Sequence, residues 1–218
     1  MRAAYDQIAD WYADYVLREA HGFTARAGTA LRQVLGRGGG TCWDVACGTG
    51  AYAGTIRELG WTPVGTDISA GQLRHAAGHL PVAVADATRP PIRPASVPAV
   101  VSLVCHTDVD DYPALCRAAA TALVAGGRFA HVGVHPCFTG AFADRADPDR
   151  VVLGPGYWRR ERRFEAWSPH GVRARVGAVH LPLSDLVGAV TAAGLLLDTV
   201  VEVGEPTPDV LAIGAHRP

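Results

Sequence analysis

Lysine and asparagine are both missing from this sequence of 218 residues, so arginine supplies all 20 of its Lys-or-Arg positions. Without lysine the chain cannot form a Schiff base with a carbonyl substrate. It also cannot build the P-loop in which a lysine holds nucleotide phosphates. Composition alone therefore excludes two common kinds of active site.

Strong net charge and paired cysteines are lacking as well. The formal net charge is −1, which provides no overall positive field to attract nucleic acid. The five cysteines are scattered, odd in number and free of any CxxC pair, so neither a disulfide framework nor a zinc site is expected. This usage favours a reducing, cytoplasmic location. Charged residues interrupt the apolar N-terminal segment, which argues against a signal peptide or a membrane anchor.

The order of apolar patterns along the first two thirds of the chain is typical of an α/β sheet. Apolar spacing predicts two helices, near 5–16 and 24–35, before a run of three glycines. Short apolar runs and helical patterns then alternate. The predicted strands are 41–46, 62–66, 82–85, 99–104 and 128–134, and the helices between them are 50–59, 70–77 and 112–124. This alternation predicts a parallel, doubly wound sheet with helices on both faces.

Periodicity is weak over residues 136–172, which are rich in Pro, Gly, Arg and aromatic residues. Regular apolar patterns resume after this segment. They predict a strand at 172–180 and a helix at 183–193, which Gly194 would end. The predicted strands 195–203 and 209–215 are joined by a hairpin-like turn. The expected fold is therefore a Rossmann-like, seven-stranded sheet, mostly parallel with an antiparallel final strand.

A glycine-containing turn follows the first predicted strand, with the sequence DVACGTG at residues 44–50. Gly48 and Gly50 permit backbone angles that larger residues avoid, and small side chains let a ligand approach closely. The turn does not match the G-x-G-x-x-G fingerprint of dinucleotide sites, because Ala46 and Ala53 occupy the first and last glycine positions. An NAD-dependent oxidoreductase is therefore disfavoured.

Two acidic residues follow the next two predicted strands at the same edge of the sheet. Asp67 after the second strand can accept two hydrogen bonds from a ribose diol. Asp86 after the third strand can accept one from the exocyclic amine of adenine. Either acid alone could equally be a helix cap or a turn residue. Together with the glycine turn, they predict a nucleoside site at the carboxyl edge.

The segments DVACGTG, VGTDIS and ADATRPPI, in this order, resemble the S-adenosylmethionine (SAM) core of class I methyltransferases, and most closely the small-molecule, type 11 or UbiE-like group. AGGRFAHVGVHP resembles the family's fifth-strand entry, and YDQIADWYADY its N-terminal lid helix. The resemblance implies methyl transfer from SAM to a small molecule, with S-adenosylhomocysteine (SAH) as product. It implies cofactor contacts from Tyr5, Tyr12, Asp44, Ala46, Cys47, Gly48, Asp67, Ile68, Asp86, Ala87 and Val104.

The two tyrosines match aromatic lid positions, although an apolar stripe at helical spacing is more often helix packing than a cofactor contact. Ala46 departs from the family, which usually has glycine there, and this mild change should not abolish binding. A single domain is expected, with lid helices at 1–37, a cofactor core at 41–135, an acceptor lid at 136–180 and a C-terminal helix and strands at 181–218.

The acceptor lid is rich in aromatic residues, which predicts an apolar or aromatic small-molecule acceptor. They are Phe138, Phe142, Tyr157, Trp158 and Trp167. The absence of asparagine excludes the Asn-Pro-Pro-aromatic motif of enzymes that methylate adenine or amides. We therefore expect neither a nucleic-acid nor a membrane partner, and a monomer or homodimer. The arginines of segment 158–164 could bind phosphates, but a solvated hairpin is the favoured interpretation.

Two histidines, His106 and His135, follow the fourth and fifth predicted strands and are the candidate general bases. Asp108 or Asp110 could orient His106, as a carboxylate does in hydrolase triads. His180 is a weaker third candidate, and each histidine could instead only shape the pocket. No metal is expected, because the metal sites of the family combine acids from separate loops with an asparagine.

Two further functions remain open beside methyl transfer. SAM could serve an enzyme that does not methylate, such as a cyclase, and the chain could instead be a non-catalytic SAM-binding subunit.

Overall fold

The computed structural model describes residues 3–147, 149–167 and 171–218. Its strands are β1 Thr41–Val45, β2 Thr62–Asp67, β3 Val82–Val84, β4 Val97–Leu103, β5 Leu123–Val134, β6 Ala143–Asp144, β7 Val152–Leu153, β8 Leu196–Val203 and β9 Val210–His216. Its α-helices are α1 Ala9–Arg18, α2 His21–Leu35, α3 Ala53–Glu58, α4 Ala70–Ala76, α5 Tyr112–Ala122, α6 Val172–Val176 and α7 Leu183–Ala192, preceded by a 3-10 helix at Ala4–Gln7.

Seven strands form one sheet in the order β3-β2-β1-β4-β5-β9-β8, and β6 and β7 form a separate pair. Strands β1 to β5 run parallel, whereas β9 is antiparallel to both of its neighbours. The predicted fold class is confirmed, including the antiparallel last strand. The strand order reverses direction between β1 and β4, and the crevice at such a switch point is where doubly wound sheets bind ligands.

The sheet is buried on both faces, because successive side chains of a strand point to opposite sides. Trp43 and Phe129 point toward α5 and α7 in one core cluster. Cys42 and Ala130, their immediate neighbours in sequence, point toward α2 and α3 in the other. This double burial explains why the central strands are continuously apolar in the sequence.

One predicted element is wrong, and one predicted helix ends earlier than expected. Residues 172–176 form α6 rather than the start of a strand, because Val172 and Val176 are four residues apart and bury the same helix face. Gly171 and Gly177, both in the left-handed region, delimit this helix. The predicted helix 112–124 ends at residue 122, and β5 begins with an irregular stretch before its regular pairing.

Candidate functional site

The turn after β1 is held against the end of β2 by backbone hydrogen bonds. Cys47 donates its N–H to the carbonyl of Thr66 at 3.0 Å, and Gly48 donates its N–H to Asp67 Oδ2 at 2.9 Å. Ala46 and Gly48 have φ of 55° and 54°, so the position where the family usually has glycine holds an alanine in the left-handed region. The loop therefore keeps a glycine-like backbone at Ala46.

Close approach of this loop to β2 depends on Gly65. A Cβ at residue 65 would lie 2.6 Å from Cys47 Sγ, well inside contact distance. The missing side chain thus allows the loop and strand to meet. Sequence reasoning overlooked Gly65, although it stands in the quoted VGTDIS segment.

Asp67 lies at the carboxyl end of β2 and organises the loops around it. In addition to the bond from Gly48, its Oδ1 accepts the N–H of Ser69 at 2.8 Å. Burial raises the pKa of Asp67, while these two backbone donors act in the opposite direction. Each carboxylate oxygen has a second lone pair. Asp67 can therefore hold the loop and still accept hydrogen bonds from a ligand.

Asp44 and Gln72 carry buried polar atoms that no described residue satisfies. These atoms are Asp44 Oδ1 and both terminal atoms of the Gln72 amide. Burial, together with the nearby Asp67, raises the pKa of Asp44 to about 8. Buried polar groups almost always have partners, so unsatisfied ones at a glycine loop indicate where a polar ligand fits. Gln72 was missed in the sequence because nothing in its helical segment distinguishes it locally.

The region after β2 and β3 offers an apolar surface and a turn. Ile68 is 58% exposed although it is large and apolar. Asp86 Oδ1 accepts the N–H and the hydroxyl of Thr88, both at 2.8 Å, and these bonds lower the pKa of Asp86. Ala87 beside it is buried. Asp86 thus forms a turn at the carboxyl edge, with its side chain exposed.

The N-terminal segment lies over this edge of the sheet. Asp6 Oδ1 accepts the Ser69 hydroxyl at 2.7 Å and the Gly71 N–H at 2.9 Å. The rings of Tyr5 and Tyr12 meet edge to face with centroids 5.0 Å apart. Burial raises the pKa of Tyr12 to about 12. The structure therefore brings the two predicted lid tyrosines together above the ends of the strands.

Asp108 and Asp110 do not orient His106, which corrects the sequence prediction. Asp108 accepts the Tyr5 hydroxyl at 3.0 Å and forms an ion pair with Arg173. Arg162 Nη2 donates to Asp110 Oδ1 at 2.9 Å. Arg173 and Arg162, both from the 136–180 segment, pair with these carboxylates. Such pairs form because hydrogen bonds between charged groups are stronger than those between neutral groups. The pairing of Arg162 with Asp110 also differs from the solvated hairpin that is expected for segment 158–164.

The histidines predicted as bases differ in their surroundings. His106 is 2% exposed, its Nδ1 has no partner among the described residues, and burial holds its pKa well below the usual 6.5. His135 Nδ1 accepts the Cys137 N–H at 3.1 Å, and its Nε2 lies 2.7 Å from Glu202 Oε1. Both nitrogens of His135 are thus engaged, whereas His106 retains an unpaired one.

Val104, directly before the His106 loop, adopts an unusual backbone conformation. Its φ of 57° lies in the left-handed region, which is uncommon for a β-branched residue. Its N–H donates to the carbonyl of Val132 at 2.7 Å, so the conformation is held by β5. Strained backbone of this kind is concentrated at functional sites.

A cavity of about 550 Å³ lies between α5, α7 and the 136–180 segment. Its lining includes His106, Val109, Val179, Leu181, His180 and the Arg160–Asp185 pair. This volume is within the range of small-molecule sites. His180 also lines a smaller space of about 170 Å³ with Phe142 and Trp167. Burial lowers the pKa of His180 to about 4, so it is neutral near pH 7.

Of the other predicted lid aromatics, Tyr157 packs edge-on against Phe142 with ring centroids 5.6 Å apart. Phe138 lies against the His135 ring instead, and Trp158 is 65% exposed. Among the described residues, no cluster of three or more His, Cys, Asp or Glu side chains is arranged to hold a metal ion. Within the same residues, no helix has both the length and the apolar character to cross a membrane.

Comparison with known proteins gives one family match and several structural matches. Residues 43–131 match the family model described as a methyltransferase domain. A SAM-dependent methyltransferase from Mesorhizobium loti is 23% identical, with 87% of this chain and 96% of that chain covered and a TM-score of 0.72. No curated protein sequence matches significantly.

Two further solved structures share the fold at lower identity. Geranyl diphosphate C-methyltransferase from Streptomyces coelicolor A3(2) is 17% identical, with 95% of this chain and 82% of that chain covered and a TM-score of 0.65. A (4+2)-cyclase is 14% identical, with 89% and 81% covered and a TM-score of 0.63. At these identities the likeness is one of fold. Residues 43–131 thus match a methyltransferase domain, and the chain has the fold of the SAM-dependent methyltransferases to which it is similar.

Proposed function

We propose that the chain is an enzyme that transfers a methyl group from SAM to O, N or C of a small apolar or aromatic molecule. The unsatisfied polar atoms of Asp44 and Gln72 beside the Asp67 carboxylate carry this proposal. A buried carboxyl oxygen without a partner is costly, and a ligand with donor groups would relieve that cost. The amine and ribose hydroxyls of SAM are such donors.

Each part of the cofactor has candidate partners in the chain. Asp67 suits the ribose hydroxyls because its carboxylate is already fixed by two backbone N–H groups. Exposed Ile68 suits the flat face of adenine, beside Ala87 and Asp86. The methionine part would lie against the loop, and the tyrosines would cover the site. These proposed residues are Asp44, Ala46, Cys47, Gly48 and Val104 for methionine, and Tyr5 and Tyr12 for the cover.

The bound cofactor supplies a methyl group on a positively charged sulfur. The protein then contributes mainly proximity and orientation, and a base where the acceptor atom carries a proton. The cavity of about 550 Å³ is the proposed acceptor site, and its Val109, Val179 and Leu181 suit an apolar molecule. The proposal includes segment 136–180 as acceptor lid of a single domain, a cytoplasmic location, and a monomer or homodimer.

His106 is the proposed base, and His135 is less suited because both of its nitrogens are engaged. Burial keeps the His106 imidazole neutral near pH 7, so a lone pair is always available. A low pKa does not prevent the transfer, since an O–H or N–H proton becomes far more acidic as the methyl group bonds to its atom. The proton then passes from the acceptor to His106.

Calorimetric titration with SAM and SAH tests the cofactor half of this proposal. Wild type should bind both, and Asp67→Asn should bind at least about ten-fold more weakly, since it loses a charged acceptor. Asp10→Asn is the matched control, because Asp10 lies on the exposed side of α1, where it pairs with Arg74 and His75. Absence of binding at millimolar SAM would refute a cofactor role.

Incubation of small-molecule extracts with methyl-labelled SAM tests the transfer half. Mass spectrometry should detect a labelled product with wild type and much less with His106→Gln. Turnover supported equally by SAH, without a methylated product, would favour a non-methylating enzyme. The fold likeness to a (4+2)-cyclase is the observation that keeps this second candidate open. A function unaffected by either His106→Ala or His135→Ala would favour a non-catalytic SAM-binding subunit.

A further inference from the structure

A row of buried polar side chains extends from β4 and α5 to β5, directly behind His106. Tyr112 Oη lies 2.9 Å from Ser102 Oγ and 2.7 Å from His131 Nδ1. Ser102 Oγ lies 3.1 Å from Cys105 Sγ. These side chains are buried in an otherwise apolar cluster, where polar groups are costly unless they are hydrogen bonded. Tyr112 also lines the proposed acceptor cavity, but Ser102, Cys105 and His131 have no role in the proposed transfer.

At one end of this row, the His131 ring lies next to the His106 ring. His131 Nε2 and His106 Nδ1 are both buried, and neither has a partner among the described residues. The two rings are 5.0 Å apart between centroids and nearly perpendicular. A Cβ at residue 133 would lie 2.4 Å from His106 Nδ1 and 3.1 Å from His131 Nε2. Gly133 therefore leaves the two unpaired nitrogens next to the same space, and the rings would have to rotate for the two nitrogens to form a hydrogen bond.

We propose that His131, held by Tyr112, is a positioning residue that sets the tautomer of His106. The inference rests on His106 being the base of the proposed transfer. His131 donates its Nδ1–H to the Tyr112 oxygen, and Tyr112 donates its hydroxyl to Ser102. His131 Nε2 is then an acceptor for the Nδ1–H of His106. This leaves the basic lone pair of His106 on Nε2.

This arrangement gives the buried His106 a hydrogen-bond partner for the imidazolium that forms when it accepts a proton. When the acceptor atom is methylated, its proton bonds to the Nε2 lone pair of His106, and the electrons of the broken O–H or N–H bond stay on the acceptor. The imidazolium that forms can donate Nδ1–H to His131 in a charge-assisted bond. Burial lowers the pKa of His131 to about 3, so His131 stays neutral and can accept.

An alternative explanation is that Ser102, Tyr112 and His131 only satisfy one another in the core. In that case the tautomer of His106 would not depend on them. Tyr112→Phe separates the two explanations, because it keeps both imidazole rings and the Tyr112 ring but removes the acceptor for His131 Nδ1–H. His131 is then free to move its proton to Nε2, where it can no longer accept from His106.

Long-range 1H–15N correlation spectra of the full chain, labelled at its nine histidines and saturated with SAH, report each tautomer directly. His106→Gln and His131→Gln assign the two signals. In wild type near pH 7 we expect His106 in the Nδ1–H form. Tyr112→Phe should convert it to a mixture or to the Nε2–H form. Tyr15→Phe, which removes one hydroxyl from α1, is the matched control and should leave it unchanged.

An Nε2–H form of His106 in wild type, or an unchanged tautomer in Tyr112→Phe, would overturn the proposal. Ser102→Ala is the second variant if Tyr112→Phe does not fold. It removes the acceptor of the Tyr112 hydroxyl and should likewise shift His131 toward its Nε2–H tautomer. An unchanged spectrum of Ser102→Ala would then count against the proposal. Once an acceptor is known, Tyr112→Phe should lower kcat about ten-fold or more with little change in KM.

The spectra need no methyl acceptor. They therefore remain informative if methyl transfer itself is not found, and the two proposals can fail separately.

Discussion

The stability of the ligand-free Asp44→Asn variant, relative to that of wild type, should rise with pH. Asp44 is 1% exposed, and burial together with the nearby Asp67 raises its pKa to about 8. In the unfolded chain the pKa of an aspartate is about 3.9. Between these values the folded protein keeps a proton that the unfolded chain releases, so a rising pH favours unfolding.

The size of this effect follows from about 1.4 kcal/mol per pKa unit. At pH 7 the unfolded carboxyl lies about three units above its pKa and the folded one is still protonated, which lowers the free energy of unfolding by about 4 kcal/mol. At pH 5 the same effect is about 1.5 kcal/mol. Asparagine does not ionise, so Asp44→Asn removes the effect. Its buried amide adds a cost that does not vary with pH.

Urea unfolding of the ligand-free proteins at pH 5, 6 and 7 measures the difference directly. The stability of Asp44→Asn relative to wild type should rise by about 2.5 kcal/mol from pH 5 to pH 7. Asp86→Asn is the control, because the pKa of that exposed carboxyl is lowered and lies below the whole range. Its stability relative to wild type should therefore be the same at all three pH values.

A difference that does not change between pH 5 and 7 would refute the reasoning, since it would mean that Asp44 is ionised in the folded protein. The same variant should bind SAM at least about ten-fold more weakly in calorimetry, because asparagine cannot ionise to pair with the ammonium group of SAM. A variant that binds SAM like wild type would remove Asp44 from the proposed cofactor site.

Three further variants test the lid and the loop. Gly65→Ala should weaken SAM binding in calorimetry and destabilise the protein by about 1–3 kcal/mol, because its Cβ would lie 2.6 Å from Cys47 Sγ. Asp6→Ala should speed amide hydrogen exchange in residues 3–18 and increase the SAM off-rate, since it removes two hydrogen bonds to the loop after β2. Arg173→Met should lower stability by about 3 kcal/mol in urea unfolding, because it leaves the partly buried Asp108 without its cation. Unchanged exchange, binding or stability would contradict the corresponding prediction.

Much of the fold could be predicted because its signals are local. The alternation of short apolar runs with helical patterns predicted the sheet, and the hairpin after Gly194 predicted the antiparallel end. The glycine turn and Asp67 could be found in the same way, because a residue that follows a parallel strand must lie at its carboxyl edge. The failure at α6 is also physical, since five residues with two valines fit either a short helix or a strand.

Contacts between distant residues could not be predicted in this way. The sequence allows either Asp108 or Asp110 to orient His106, but Arg173 pairs with Asp108 from 65 residues away. The partners of His135, and the lack of a partner for the Gln72 amide among the described residues, likewise depend on elements that are far apart in the sequence. A side chain takes the strongest available partner in three dimensions, and no local pattern records which one that is.

The sequence by itself thus determined the sheet and the chain positions that reach its carboxyl edge, because strand and helix periodicities and right-handed crossovers are properties of local chain segments. Only the tertiary structure decided which polar groups at that edge are satisfied and which are left unpaired. It distinguished His106 from His135 and brought His131 beside His106, because these relations depend on packing between strands and helices that the chain connects only through long loops.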